Sequence, residues 1–194
     1  LMSNVGFRKM TEKEMYDGCL AADGKCQRAL YEAYSPGVYA LISRYVVQED
    51  AAADVLQDTF IRVFDSIGRF AWRGNGSLRA WMSRIAVNMA LDHLRGNGRL
   101  AVSSQPVDTV GDDVPDEPDA SMVDMIDANT LNGFIAELPD GYRTVFNLFC
   151  IEGLSHRQIA ERLGINEKSS SSQLARAKAL LAKRIKQYLN EQYD

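Results

Sequence analysis

The stretch SHRQIAERLGINEKSSSSQLARAKALLAKR, Ser155 to Arg184, decides the fold class. Ser155 and Gln158 have the S-x-x-Q spacing of a capping box, in which each satisfies a free donor of the other at a helix start. Ile159, Ala160 and Leu163 then repeat on one face. Gly164 suits the left-handed residue that ends a helix. Asn166 is placed to cap a second helix, whose buried stripe is predicted as Leu174, Ala177 and Leu181. This pattern predicts a helix-turn-helix, a unit that lays its second helix in the DNA major groove. Between Ser155 and Tyr188 there are eight Lys/Arg and two Glu, so the segment is basic.

The rest of the chain is not. The 194 residues carry a formal charge of −4, and the charge is segregated. Residues 1–99 have 13 Lys/Arg against 11 Asp/Glu, and residues 143–194 have nine against five. Leu100 to Tyr142 holds ten acids and no Lys or Arg. A polymer of phosphates responds to such local patches and not to their average.

An apolar fraction of 46% places the chain among folded proteins. No apolar run is long enough to span a bilayer, and no signal peptide opens the sequence. Cys19, Cys26 and Cys150 show no C-x-x-C spacing, and His93 and His156 are the only histidines. A metal site is therefore not expected, and all three cysteines read as buried free thiols of a reducing cytoplasm.

Residues 101–121, AVSSQPVDTVGDDVPDEPDAS, contain three prolines and six acids, which reads as a solvated linker. It divides the chain into two helical pieces. The expected fold is all-α: a first domain over 1–100, an acidic linker over 101–127 and a second domain over 128–194.

In the first piece Thr11 and Glu14 predict a capped short helix. A helix over Lys25–Tyr34 follows, and Ser35-Pro36 marks the start of another, with Val38, Tyr39, Leu41, Ile42, Tyr45 and Val46 suited to burial. In AAADVLQDTFIRVFDSIGRF, the residues Val55, Leu56, Thr59, Phe60, Val63 and Ile67 form one wide stripe. Asp54, Gln57, Asp58 and Asp65 fall opposite. Gly74 and Gly76 break the chain, and Leu78 to Arg95 is helical again, with Leu78, Trp81, Met82, Ile85 and Met89 facing one way. In the second piece Leu131, Phe134, Ile135 and Leu138 have helical spacing. Pro139 interrupts, and Tyr142 to Glu152 predicts a further helix closed by Gly153.

Two motifs, DVLQDTF with GSLRAWMSRIAVNMALDHLR, and LPDGYRTVFNLFCIEGLSHRQIAERLGINEKSSSSQLARAKALL, together resemble the sigma-70 family of RNA polymerase initiation factors. Two regions joined by a linker are similar to its extracytoplasmic-function (ECF) group. The resemblance implies a non-catalytic promoter-recognition subunit, without metal or cofactor, whose partners are core RNA polymerase and promoter DNA. Asp54, Gln57 and Asp58 match a pattern that docks on the β′ clamp helices, with Ala53 where an acid is common. The second domain is implied to meet the β flap. The loop Phe70–Ser77 and the helix after it match the −10 reader, which implies roles for Arg73, Asn75, Gly76, Arg84 and Asn88, with Arg79 and Arg95 as further phosphate contacts. Lys168, Ser171, Ser172, Gln173, Arg176 and Lys178 match the −35 reader.

The serine run departs from the family pattern. Ser171 and Gln173 stand where basic residues are common, and Ser170 where an apolar one is, which should cost some packing. Gln173 retains the amide that pairs with adenine. In the family the linker passes through the polymerase channels, which a polyanion suits. An anti-sigma factor is an implied candidate partner, although the chain bears no signature of one. A free-standing helix-turn-helix regulator with a sensing or dimerising first domain is the alternative reading. A helical adaptor binding only protein is disfavoured by the basic last helix.

Overall fold

A computed structural model of the chain describes residues 10–98, 100 and 126–193. Among these residues every regular element is helical. The packing divides the chain into two units, Leu1–Asp92 and His93–Asp194, the division falling inside a helix. The linker predicted over 101–121 lies outside the described residues.

The first unit is built from α1 (Glu12–Leu20), α2 (Gly24–Ser43), α3 (Glu49–Ser66), a short 3-10 turn (Ile67–Arg69) and α4, which begins at Ser77 and ends at Gly96. The predicted capping box of α1 is present: Thr11 accepts from the Glu14 amide at 3.2 Å, and Glu14 accepts from the Thr11 amide at 2.9 Å. The break predicted at Ser35-Pro36 is not there, since α2 runs through Pro36 as one helix. Proline forfeits one hydrogen bond, at a cost of about 3 kcal/mol in a helix interior. Here the ring and Glu32, whose carbonyl loses its partner, are exposed to water. Buried Leu30 on one side of the proline, with Val38 and Ile42 on the other, hold the helix together through it.

The α3 stripe is buried as predicted: Val55, Leu56, Thr59, Phe60, Val63 and Ile67. Thr59 meets its polar requirement inside the helix, its hydroxyl donating to the Val55 carbonyl at 2.7 Å. On α4 the buried line is Leu78, Met82, Ala86 and Ala90, at i+4 spacing. Trp81, Ile85 and Met89 sit half-buried at its edge, because the two alanines and not the larger side chains face the closest packing.

Burial raises the Cys19 thiol to about 11, with Cys26 and Asp23 adding to the shift. Burial also raises Cys26, whose thiol donates to Asp23 at 3.5 Å. Both are free and buried as expected. Cys150, expected to be buried, is exposed. It lies two residues past Leu148, within the π-helical turn and off its buried Asn147–Leu148 face.

The second unit comprises α5 (Ala128–Glu137), α6 (Asp140–Phe146), a π-helical turn (Asn147–Ile151), α7 (His156–Leu163) and α8 (Glu167–Tyr193). The single helix expected to Glu152 is therefore two segments. The Glu152 amide reaches back to the Asn147 carbonyl at 3.0 Å, which is the wider i+5 closure. This turn brings Phe149 over His156, with ring centroids 4.6 Å apart and 20° between planes. The core joins Ile126, Phe134 and Leu138 to Ala177, Leu181, Ile185 and Leu189 of α8. Burying each large aliphatic or aromatic side chain contributes about 1.5–3 kcal/mol.

Asp127 caps α5, accepting from the Asn129 and Thr130 amides at 3.0 Å each. Hydrogen bonding, first from the Thr130 hydroxyl, holds its carboxyl below the ordinary 3.8. A depressed folded value gives stability that is complete above the ordinary value and is lost as pH falls through the folded one. Asparagine caps equally well without titrating. Asp127→Asn is therefore expected to flatten the acid loss of stability in the second unit, read by urea unfolding across pH. Parallel acid slopes in the two proteins would refute this.

Candidate polymerase and nucleic-acid interfaces

Three surfaces collect the candidate residues. The first lies on α3. Asp54, Gln57 and Asp58 are all exposed at i, i+3 and i+4, opposite the buried stripe. The same spacing continues to Ile61, which is 59% exposed. Ile61 thus adds one exposed apolar side chain to the polar face of α3. The sequence carries a signal for this, since Ile61 falls outside the stripe that Val55 to Ile67 define.

The second surface is the loop between the 3-10 turn and α4. Gly74 has φ +104° and Gly76 φ +85°, both in the region that favours glycine, so this is a shaped turn. The Ser77 hydroxyl ties it, accepting from the Arg73 amide at 3.2 Å and donating to the Gly74 carbonyl at 2.6 Å. Arg73 and Asn75 are exposed on the loop, and Arg84 and Asn88 are exposed on α4 one turn apart. Arg84 Nε donates to the Ala80 carbonyl at 3.4 Å.

An aromatic cluster lies beneath. Phe70 meets Trp81 at 5.0 Å, and Tyr16 of α1 stacks on Trp72 at 5.5 Å. Trp81 is thus a half-buried packing residue, as expected of it. Glu12 of α1 also reaches this loop, and sequence reasoning had no signal for it or for Tyr16, because the partners are 54 and 64 residues away. Burial, with the Glu12 carboxylate adding, pushes the Tyr34 hydroxyl up to about 12.

The third surface is on α8, and the helix-turn-helix forms as read. Ser155 N donates to Gln158 Oε1 at 2.8 Å and Ser155 Oγ accepts from the Gln158 amide at 3.3 Å. Gly164 is left-handed at φ +69°. Asn166 Oδ1 accepts from the Ser169 amide at 2.6 Å. Lys168, Ser171, Ser172, Arg176 and Lys178 are exposed on α8. Arg176 Nη1 donates to the Tyr142 hydroxyl at 3.4 Å.

Gln173 is corrected. It is 8% exposed, and its Oε1 lies against Gly141 of α6. Ser170, Gln173, Leu174, Ala177 and Leu181 are one buried helical line, so residue 173 faces inward with them. Ser170 is fully buried, yet its hydroxyl lies 3.0 Å from His156 Nδ1. That hydrogen bond offsets the packing cost expected of a serine there.

Among the described residues no group of His, Cys, Asp or Glu could hold a metal ion, and no helix is long and apolar enough to cross a membrane.

Comparison with known families places these surfaces. The model of Sigma-70 region 2 matches residues 30–100, and that of Sigma-70, region 4, matches residues 130–181. The ECF RNA polymerase sigma-E factor of Haemophilus influenzae is 30% identical over 186 residues, covering 91% of this chain and 96% of that one. The chain belongs to the sigma-70 family, in its ECF group.

The RNA polymerase sigma-H factor of Pseudomonas aeruginosa is 28% identical over 189 residues, covering 93% of this chain and 96% of that one. Among solved structures, the sigma factor RpoE of Bartonella quintana, in complex with the anti-sigma factor NepR, is 19% identical over 82% of this chain and 96% of that one, with a TM-score of 0.47. This sigma factor is a transcription initiation factor and not an enzyme. It binds core RNA polymerase and promoter DNA, and directs the one to the other. The α7–α8 helix-turn-helix lies in region 4, and the α3 face and the Gly74–Gly76 loop lie in region 2.

Proposed function

We propose that this sigma factor divides its work among the three surfaces. Asp54, Gln57 and Asp58, with Ile61, dock on the β′ clamp helices. Arg73, Asn75, Gly76, Arg84 and Asn88 read and hold the opened −10 strand. Lys168, Ser171, Ser172, Arg176 and Lys178 meet the −35 duplex. The domain boundaries 1–100, 101–127 and 128–194 separate these roles, and the site of action is the cytoplasm, where the polymerase works. The third candidate partner, an anti-sigma factor, rests on family membership alone.

One observation carries the −35 assignment. On α8 the exposed residues Lys168, Ser171, Ser172, Arg176 and Lys178 avoid the buried line, and the helix begins beside a capped turn. Such a helix presents donors to a groove while its other side remains in the core. Serines make contact without adding charge, so the salt dependence of binding should be low for this family. Gln173, being buried, takes no part.

Arg176 and Lys178 separate base reading from phosphate attraction. Arg176→Ala is expected to cost about 1–3 kcal/mol and relax preference at one −35 position, as loss of a base contact does. Lys178→Ala is expected to weaken every sequence alike and reduce the salt slope. The measurement uses holoenzymes on a set of single-base −35 substitutions at several salt concentrations. Equal loss on every sequence moves Arg176 to the phosphate class. No loss for either variant removes α8 from the groove.

A further inference from the structure

We propose that α1 is a clasp on the −10 loop, with Glu12 and Tyr16 as positioning residues, so that a helix outside the reading surface sets its specificity. The inference rests on the assignment of Arg73–Gly76 and Asn88 to the −10 element. Helix α1 lies ahead of residues 30–100, the part matched by region 2, and nothing assigned so far gives it a role.

The loop has little of its own to hold it. Two of its residues are glycines at positive φ, and its internal ties come from Ser77 and the backbone. Glycine has the most conformational freedom to lose on ordering, so such a turn needs outside support. Helix α1 supplies it at both ends. At the exit, Glu12 Oε2 accepts from the Gly76 amide at 2.6 Å and Oε1 from the Arg79 amide at 3.4 Å. The Arg79 amide is in the first turn of α4, where amides have no partner within their own helix, and the Gly76 amide is that of the residue just before the helix, so both lie at the positive end of α4. The Tyr34 hydroxyl faces the same carboxylate.

At the entry, Tyr16 is 7% exposed and donates its hydroxyl to the Phe70 carbonyl at 2.9 Å. Its ring meets Phe70 edge-on at 5.6 Å and stacks on Trp72 at 5.5 Å. Glu12 and Tyr16 are four residues apart, on one face of α1. One rigid element therefore fixes both ends of the turn that carries Arg73 and Asn75. Base discrimination needs donors held within about 0.5 Å of their working positions, which an unsupported glycine turn does not give.

The test uses holoenzyme assembled from the full chain and core polymerase. Run-off transcripts are sequenced from two template libraries, one randomised over the −10 segment and one over the −35 segment. Glu12→Ala is expected to reduce the preference between best and worst −10 bases about tenfold, and Tyr16→Phe about threefold, through loss of a charged and a neutral hydrogen bond. The −35 preference and the affinity for core should not change. Glu12→Gln keeps one acceptor oxygen and should restore part of the −10 preference.

Unchanged −10 preference in Glu12→Ala overturns the clasp. So does equal loss over both libraries, which is a general loss of structure. More transcript with preference intact would make the carboxylate a competitor for a DNA phosphate, and also overturns it. Asn75→Ala separates the two assignments. If it shifts −10 preference and Glu12→Ala does not, the clasp alone fails. If neither does, the loop is not the −10 reader and the clasp falls with it.

Discussion

Arg143→Ala is expected to cost the second unit about 3–5 kcal/mol, the loss found when one partner of a buried charged pair is removed. Arg143 is 3% exposed at the corner between α5 and α6. Its Nη1 donates to the Ala136 carbonyl at 3.3 Å and the Leu138 carbonyl at 2.6 Å, and Nη2 pairs with Asp140. The Ala136 carbonyl is in the last turn of α5 and the Leu138 carbonyl is that of its C-cap residue, where intrahelical donors are lacking and a cation also suits the helix dipole. Without the guanidinium, two carbonyls lose its hydrogen bonds and the half-buried Asp140 carboxylate loses its ion pair with Arg143. Folded domains of this size are stable by only about 5–15 kcal/mol, so the variant should unfold the helix-turn-helix well before the first unit. Both tryptophans, Trp72 and Trp81, lie in the first unit and report the wrong half. Amide exchange along α6, α7 and α8 is the appropriate reading. Protection within a factor of ten of the parent would show that Arg143 is dispensable, and Asp140→Asn, which leaves the carbonyl bonds, should cost less.

Local signals gave the fold where they were complete. The two capping boxes at Thr11 and Ser155, the left-handed Gly164 and the 3.6-residue stripe of α3 each depend on residues within a turn of one another, and each forms as read. The errors came where packing outweighs a local preference. Pro36 signals a break, but apolar residues on both sides carry α2 through it. The buried line of α4 runs through Ala86 and Ala90, which composition ranks below Trp81 and Met89.

The same distinction governs the sites. Asp54, Gln57 and Asp58 are legible because a polar face is the complement of an apolar one. Gln173 faces the core because positions 170 and 173 lie four residues before Leu174 and Ala177 on the predicted line Leu174–Ala177–Leu181. Arg143, Glu12 and Tyr16 were not legible as site or support residues. The partners of Arg143 are mostly backbone carbonyls, and those of Glu12 and Tyr16 lie in the loop before α4, more than fifty residues away.

Charge reversal of α3, Asp54→Lys with Asp58→Lys, is expected to weaken assembly with core polymerase about a hundredfold, since like charges set against each other cost several kcal/mol. The two carboxylates are exposed one helical turn apart. Exposed charges contribute little to folding, so thermal unfolding of the free chain should move by no more than about 0.5 kcal/mol equivalent. Binding is different, because the partner removes the water that screens them. Ile61 provides the second arm of the test. At 59% exposure it loses little in the free chain when truncated, but Ile61→Ala removes apolar area buried only in the complex. The two variants should differ in their response to salt. Raising ionic strength should narrow the gap between the charge-reversed and parent proteins, because screening weakens repulsion as it weakens attraction. It should leave the Ile61→Ala deficit in place, because apolar burial does not depend on screening. A titration of core polymerase with the labelled full chain at low and high salt measures both. Unchanged affinity in the double reversal would move the docking face off α3. A deficit that persists undiminished at high salt would mean that Asp54 and Asp58 act by shape and hydrogen bonding, and not by charge.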